Sequence, residues 1–245
     1  MPEPVLPSVR PAPRPRRGVV AWLPLAAAAA LAAVPAAARA QSWFTPSFQP
    51  PAISTRDYTI AVSANAGTAA LFQWREGLNA VSHFGLEGGL VDTDGDGGTK
   101  LLLGGSYAYQ LTRATAEQPL DLLFTAGAGL SVGDGADVVR LPVGVSVGHR
   151  FPLEGAMAIT PYVHPRLSLD LYSGTGADGE DTDLSIDFDL GANFELTRQV
   201  ALRASLVVSG ARRSDDVGFG LGLTITPAGL SSGARTRAAA LLGRR

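Results

Sequence analysis

From Asp57 to Thr226 apolar and polar residues alternate with a period of two, interrupted at hairpin spacing by Gly, Asp, Asn and Ser. The clearest run is Asp183 to Leu196. Leu184, Ile186, Phe188, Leu190, Ala192, Phe194 and Leu196 fall on one face, and Asp183, Ser185, Asp187, Asp189, Gly191, Asn193 and Glu195 on the other. The run before it sets Ile159, Val163, Leu167, Leu169 and Leu171 against Thr160, Tyr162, His164, Arg166, Ser168 and Asp170. The same alternation marks 120–132, 139–147, 200–208 and 217–225, and no segment in the range shows a helical period. The pattern predicts an all-β, antiparallel, up-and-down fold. Asn79 to Thr226 supplies eight strands, and Asp57 to Arg75 adds either a hairpin turning at Asn65-Ala66-Gly67-Thr68 or one irregular segment. Ten strands is the expectation, because a chain that starts and finishes on one side needs an even number; eight is the alternative.

Alternation of this kind fits a soluble sheet with its apolar face inward or a transmembrane barrel with that face toward lipid. Three features favour the barrel. Most runs are about 11 to 14 residues, longer than soluble strands and sufficient for a tilted crossing of the hydrocarbon layer. The polar face mixes Gly, Ser, Thr and Ala with charges of both signs, which suits a crowded lumen. Connections also alternate in character: Thr197-Arg198, Phe151 to Gly155 and Thr112 to Pro119 are short and plain, whereas Asp92 to Gly98, Gly133 to Ala136, Ser173 to Thr182 and Arg212 to Asp216 are acidic or Gly-rich. The plain set is expected on the periplasmic side.

The segments flanking this range set the address. Residues 1–40 read as a cleavable signal, with Arg10, Arg14, Arg16 and Arg17 ahead of an apolar run from Gly18 to Val34 and Ala38-Arg39-Ala40 as a small-x-small site; cleavage is expected before Gln41. Residues 41–56 hold three prolines without periodicity and are expected as a periplasmic lead-in, 57–226 as the barrel, and 227–245 as a basic, poorly ordered tail. Composition agrees with export. Cysteine is absent, which excludes a disulfide framework, and charged residues are 17% of the chain against roughly 25% in soluble domains. Without residues 1–40 the acidic residues outnumber the basic ones 21 to 15, which leaves no basic patch for nucleic acid.

Signal, Pro-rich lead-in, period-two strands and Gly/Asp connections on one side together resemble the small outer-membrane β-barrel proteins of the OmpA, OmpX and opacity-protein kind. The resemblance covers Asp57 to Thr226 and is one of pattern. It departs at the end: members of that group finish their last strand on an aromatic residue, whereas here Val217 to Thr226 is followed by nineteen further residues. The resemblance implies an outer-membrane location, with membrane lipid, lipopolysaccharide and the barrel-assembly machinery as partners, and a monomer.

Candidate chemistry is sparse. Asp92, Asp94 and Asp96 match the opening of a calcium loop, but the twelfth position, where a bidentate Glu belongs, is Leu103. Glu87, Asp121, Arg140, Arg166, Asp170, Asp187, Asp189, Glu195 and Arg203 share the inward face and are expected to form an ion-pair plug or line a narrow polar pore. His164, Ser168 and Asp170 can be written as an acyl-transfer trio, yet no nucleophile elbow, phosphate loop, dinucleotide fingerprint or zinc pattern is present. The expectation is a non-enzymatic barrel without a cofactor, contributing to envelope structure, with acidic surface loops for adhesion or ligand contact. A narrow pore for small solutes and a soluble lipocalin-like binding barrel are the alternatives.

Overall fold

The computed structural model describes residues 45–64, 67–93, 98–133, 136–173, 181–209 and 217–227. Their strands, in chain order, are β1 (Arg56–Ala64), β2 (Gly67–Asn79), β3 (Ser82–Thr93), β4 (Thr99–Thr112), β5 (Asp121–Gly133), β6 (Asp137–Gly148), the two-residue β7 (Phe151–Pro152), β8 (Ala158–Ser173), β9 (Asp181–Glu195), β10 (Val200–Ser209) and β11 (Val217–Ile225). Consecutive wall strands pair antiparallel. The wall closes where β1 meets β11, from Tyr58↔Ile225 to Ala64↔Phe219, and it passes over β7 by pairing β6 with β8, from Asp137↔Ser173 to Gly148↔Tyr162. The result is a closed ten-stranded barrel with β7 as a stub on the edge of β8. Closure leaves none of the ten wall strands with an open edge, the condition for sheet to exist in hydrocarbon.

Period two decides which side each residue takes. On β1 the even residues Tyr58, Ile60 and Val62 face outward and are exposed, while Asp57, Thr59, Ala61 and Ser63 are buried within. On β9 Leu184, Ile186, Phe188 and Leu190 lie outside, and Ser185, Asp187 and Asp189 are inside with almost no exposed surface. The predicted hairpin between Asp57 and Arg75 is present as β1 and β2, which makes the strand number ten. The exterior is therefore an apolar coat and the interior is polar, the inverse of a soluble barrel.

Two irregularities place functional side chains. Register shifts between Gly77 and Asn79, and between Gln110 and Thr112, bend β2 and β4 at the turn end. The β6–β8 ladder lapses between Gly144↔Arg166 and Val147↔Val163. That gap holds His164 and Pro165, and Pro165 has no N–H to donate. Elsewhere, Tyr162 lies over its cross-strand partner Gly191, where any Cβ would overlap the ring, an aromatic covering for a bare backbone.

The chain enters the wall at Arg56 and leaves it at Ile225 on the end of the barrel that carries the plain turns, since Arg56 pairs with Glu76 and Ile225 with Val200. Length does not separate the two ends as expected. The plain side includes connections of eight residues (113–120) and nine (149–157), while the acidic side includes one of two (65–66) and one of three (134–136). Composition separates them better, because β7 and the Thr115–Gln118 turn lengthen the plain side while bringing one acidic residue to each connection, Glu154 and Glu117, each with an Arg, Arg150 and Arg113, in the same connection.

Candidate functional site: a filled lumen

β8 and β9 carry most of the lumen chemistry, because their inward positions are long and charged where other strands have Gly or Ala. Toward the acidic-loop end, Arg140 of β6 reaches across to both. Its Nη2 donates to Asp187 Oδ2 at 2.6 Å and Ser185 Oγ at 2.8 Å, and its Nε lies 3.2 Å from Asp170 Oδ1. Ser168 and Ser209 donate to the two oxygens of Asp187 at 2.8 and 2.7 Å. Arg140, Asp170 and Asp187 have no exposed side-chain surface. Such a group is stable only when the charges are mutually paired, as Arg140 is here with both Asp170 and Asp187.

One level lower sits His164. Its Nε2 faces Thr125 Oγ1 and its Nδ1 faces Ser47 Oγ, both at 2.9 Å. Ser47 Oγ also donates to Asp189 Oδ2 at 2.5 Å, and Arg166 Nη2 donates to Asp189 Oδ1 at 2.9 Å. The single hydroxyl proton of Ser47 is committed to Asp189, so Nδ1 of the imidazole donates to Ser47 and Nε2 accepts from Thr125. A serine held this way receives a hydrogen bond from the histidine instead of giving one up, the reverse of an activated nucleophile.

The third level, nearest the plain turns, centres on Arg203. It donates to Asn193 Oδ1 at 3.2 Å, Thr59 Oγ1 at 3.1 Å and Asp57 Oδ2 at 3.0 Å, and Ser54 donates to the same Asp57 oxygen at 2.7 Å.

Ser47 does not belong to the wall. Residues 45–51, expected as part of a lead-in outside the barrel, are buried inside it. The wall recognises this segment mainly through its backbone carbonyls. Arg75 Nη2 donates to Ser47 O and Phe48 O at 3.2 and 2.9 Å, Gln73 Nε2 to Ser47 O at 3.3 Å, Ser146 Oγ to Gln49 O at 2.6 Å and Gln110 Nε2 to Pro51 O at 3.2 Å. Three prolines in so short a stretch make it a poor ladder member, because their missing N–H groups cannot pair. Phe48 is 0% exposed and packs with Ala61, Ala69, Leu71 and Leu102. Its ring fills the space over Gly220, where a Cβ would stand 2.6 Å from Phe48 Cζ. Phe48 also adopts φ 48°, a left-handed backbone of the kind that costs a bulky residue about 1–3 kcal/mol and persists only where its surroundings hold it. Between Gln73, Arg75, Gly85, Glu87 and Ser106 a void of ≈ 10 Å³ is left, room for one water.

The inward face brings together Arg140, Asp170 and Asp187, and separately Arg166 and Asp189, with Arg203 in its own group; Glu87 meets Gln73 at 3.1 Å. Asp121 and Glu195 stand apart at the turn-end rim. Asp121 accepts from the Ala114 backbone at 3.0 Å, and Glu195 takes both donors of Arg150 at 2.9 and 2.6 Å. The hydrogen bond to Glu195 raises the Arg150 guanidinium above its ordinary pKa. The trio written from the sequence does not assemble: Ser168 serves Asp187, while His164 engages Ser47 and Thr125. Of the acidic loop, Asp92 is exposed in the last residues of β3, and Asp94 and Asp96 lie outside the described residues. Among the described residues no group of three His, Cys, Asp or Glu is placed to hold a metal.

The sequence reading missed Asp57, Gln73, Arg75, Gln110, Ser47 and Phe48. A signal was present in β11, whose inward residues are Gly218, Gly220, Gly222 and Thr224. A strand that sends almost nothing inward leaves volume that another segment must occupy.

The class of protein defined by this wall is a closed antiparallel barrel with an apolar outside and a filled polar inside. No family model matches the chain, and no curated protein matches it. Similar solved structures include the N-terminal β-barrel domain of Pseudomonas aeruginosa OprF (12% identity, 69% of this chain and 95% of that one, TM-score 0.37), the KdgM porin (6%, 70% and 99%, 0.35) and LpxR from Salmonella typhimurium (12%, 67% and 73%, 0.39). The ladder pairing defines the barrel without them.

Proposed function

We propose that this chain is a bacterial outer-membrane barrel whose resting lumen is closed, contributing to the structure of the envelope without catalysis. In this reading residues 1–40 direct export and are removed, the plain turns face the periplasm, and the acidic connections form the outer surface, available for adhesion or ligand contact. The apolar coat on every wall strand supports the membrane placement, since exposed Ile60, Leu86, Leu190 and Leu221 would be a severe aggregation hazard in water. The observation that carries closure is the segment 45–51 lying buried and hydrogen-bonded inside the barrel. Lipid, lipopolysaccharide and the assembly machinery are the proposed partners, and the barrel acts as a monomer.

Two measurements test this. Fractionated cells should yield the protein with the outer membrane, in a form whose gel migration changes on heating. The purified full-length protein in a planar bilayer should show no stable channels. Recovery in the soluble periplasmic fraction would sink the membrane placement, and steady conductance would sink the closed lumen.

A further inference from the structure

The wall and the segment that fills it are held by different bonds. Ten strands close by backbone pairing with one another, and none of that pairing uses residues 45–55. Among the described residues, the segment's one backbone bond to a wall strand is Gly77 N to Thr55 O at 2.8 Å, at the rim. Everything deeper is wall side chain to segment carbonyl, together with Ser47 on Asp189 and His164 and the ring of Phe48 over Gly220. The segment also runs in a particular direction. Thr55 is tethered at the turn-end rim by β1, while Ser47 reaches the level of Asp189 at the middle of β9. Its deep end is its N-terminal end, so it can withdraw by the mouth at which it is anchored without any strand parting.

We propose that residues 45–55 are a detachable plug and that the barrel without them is a pore favouring small cations over anions. This rests on the reading of the chain as a closed membrane barrel. Withdrawal vacates the side of the lumen lined by Gly218, Gly220, Gly222, Ala61 and Ala69, where Phe48 and Pro46 are seated. The charged groups of β6, β8 and β9 keep their ion pairs, which are among themselves, and lose only the contact of Ser47 with Asp189 and His164. Carboxylates outnumber cations in the emptied lumen: Asp57, Glu87, Asp170, Asp183, Asp187 and Asp189 face inward against Arg75, Lys100, Arg140, Arg166 and Arg203. A narrow channel with low-dielectric walls concentrates the counter-ion of its fixed charge.

The test starts from the folded, full-length protein. A protease recognition sequence inserted between Ile53 and Ser54 lets the chain fold with the plug in place, and cutting then frees it. The uncut protein is expected to be silent in a planar bilayer. The cut protein is expected to show discrete conductance steps, to reverse on the cation side in a potassium chloride gradient, to keep its heat-modifiable migration, and to fall silent again on adding a synthetic peptide of residues 41–53. A chain lacking residues 41–52, refolded directly, is expected to conduct in the same way. The proposal is overturned if the cut segment stays bound through gel filtration, if its release leaves the barrel silent or unfolded, or if reversal lies on the anion side. Channels in the uncut protein would instead count against the closed-lumen reading itself.

Discussion

β8 and β9 send Tyr162, His164, Arg166, Asp170, Asp187 and Asp189 into the lumen, whereas β11 sends three glycines and a threonine. From outside the two regions are alike: Leu190 on β9 is 53% exposed and Leu221 on β11 is 50%. The contrast lies in how each fills its share of the interior. The β8–β9 side is nearly self-sufficient, with long side chains satisfying one another across strands and Ser47 reaching only Asp189 and His164. The β11 side is filled by chain from elsewhere, Phe48 and Pro46 standing where wall side chains would otherwise be. A barrel lumen must be packed or wet like any other interior. This one is packed mainly by the wall in one half and mainly by a separate segment in the other.

The largest effect should come from breaking the nearly self-sufficient half. Arg140→Ala leaves Asp170 and Asp187 buried without their cation, and removing one partner of a buried ion group costs about 3–5 kcal/mol. Urea unfolding in lipid vesicles should show a loss of that size. Replacing Arg140, Asp170 and Asp187 together by apolar residues of similar volume should recover most of it. A loss of under about 1 kcal/mol for the single variant would mean that water already reaches the group.

Next in size is a pair of changes that should not tell the halves apart. Leu190→Arg and Leu221→Arg each put a charge on the outer coat, at a cost of about 2–4 kcal/mol near the bilayer midplane. Refolding yield and urea stability should fall by similar amounts for both. If only one variant suffers, the two outer faces do not share one environment, and the contrast extends beyond the lumen.

How much of this was legible beforehand follows from the same contrast. The period-two pattern fixed which residues of Asp183 to Leu196 face inward, because pleat geometry is local, and the sides assigned to Asp187, Asp189 and Leu190 are those observed. It could not show that Asp189 would be met by Ser47, a residue 142 positions away outside any strand. Nor could it show that Arg203 would pair with Asp57, which becomes a neighbour only when β11 and β1 close the ring. Residues 41–56 looked like a tether because three prolines forbid a ladder, and the same feature suits a segment whose carbonyls are read by side chains. Turn lengths misled in a different way: a two-residue stub and a local turn lengthened the plain end without altering topology.

The glycine half can be tested with a single carbon. Gly220→Ala places a methyl 2.6 Å from Phe48 Cζ and 3.0 Å from Pro46 Cγ, so the plug must shift outward. Overpacking of this kind costs about 1–3 kcal/mol. If the plug is bound separately, that loss should appear as faster proteolysis of residues 45–55 with the barrel's own unfolding midpoint little changed. A full drop in the midpoint would show the segment to be integral to the wall.

The smallest effect belongs to the rim, where neither half of the lumen is involved. Arg150 and Glu195 make two hydrogen bonds, at 2.9 and 2.6 Å, but 38% of the Arg150 side chain is exposed. Solvent screens the pair, and ordering two long side chains offsets much of the attraction, so Arg150→Ala should cost no more than about 1 kcal/mol. The dependence on salt sharpens the contrast with the interior. Raising ionic strength should erase the difference between Arg150→Ala and the parent protein, because the pair is reached by counter-ions. The same change should leave the deficit of Arg140→Ala nearly intact, because no ion enters a lumen already filled. Equal salt sensitivity at both sites would indicate that the interior is open to bulk solvent and that residues 45–51 do not seal it.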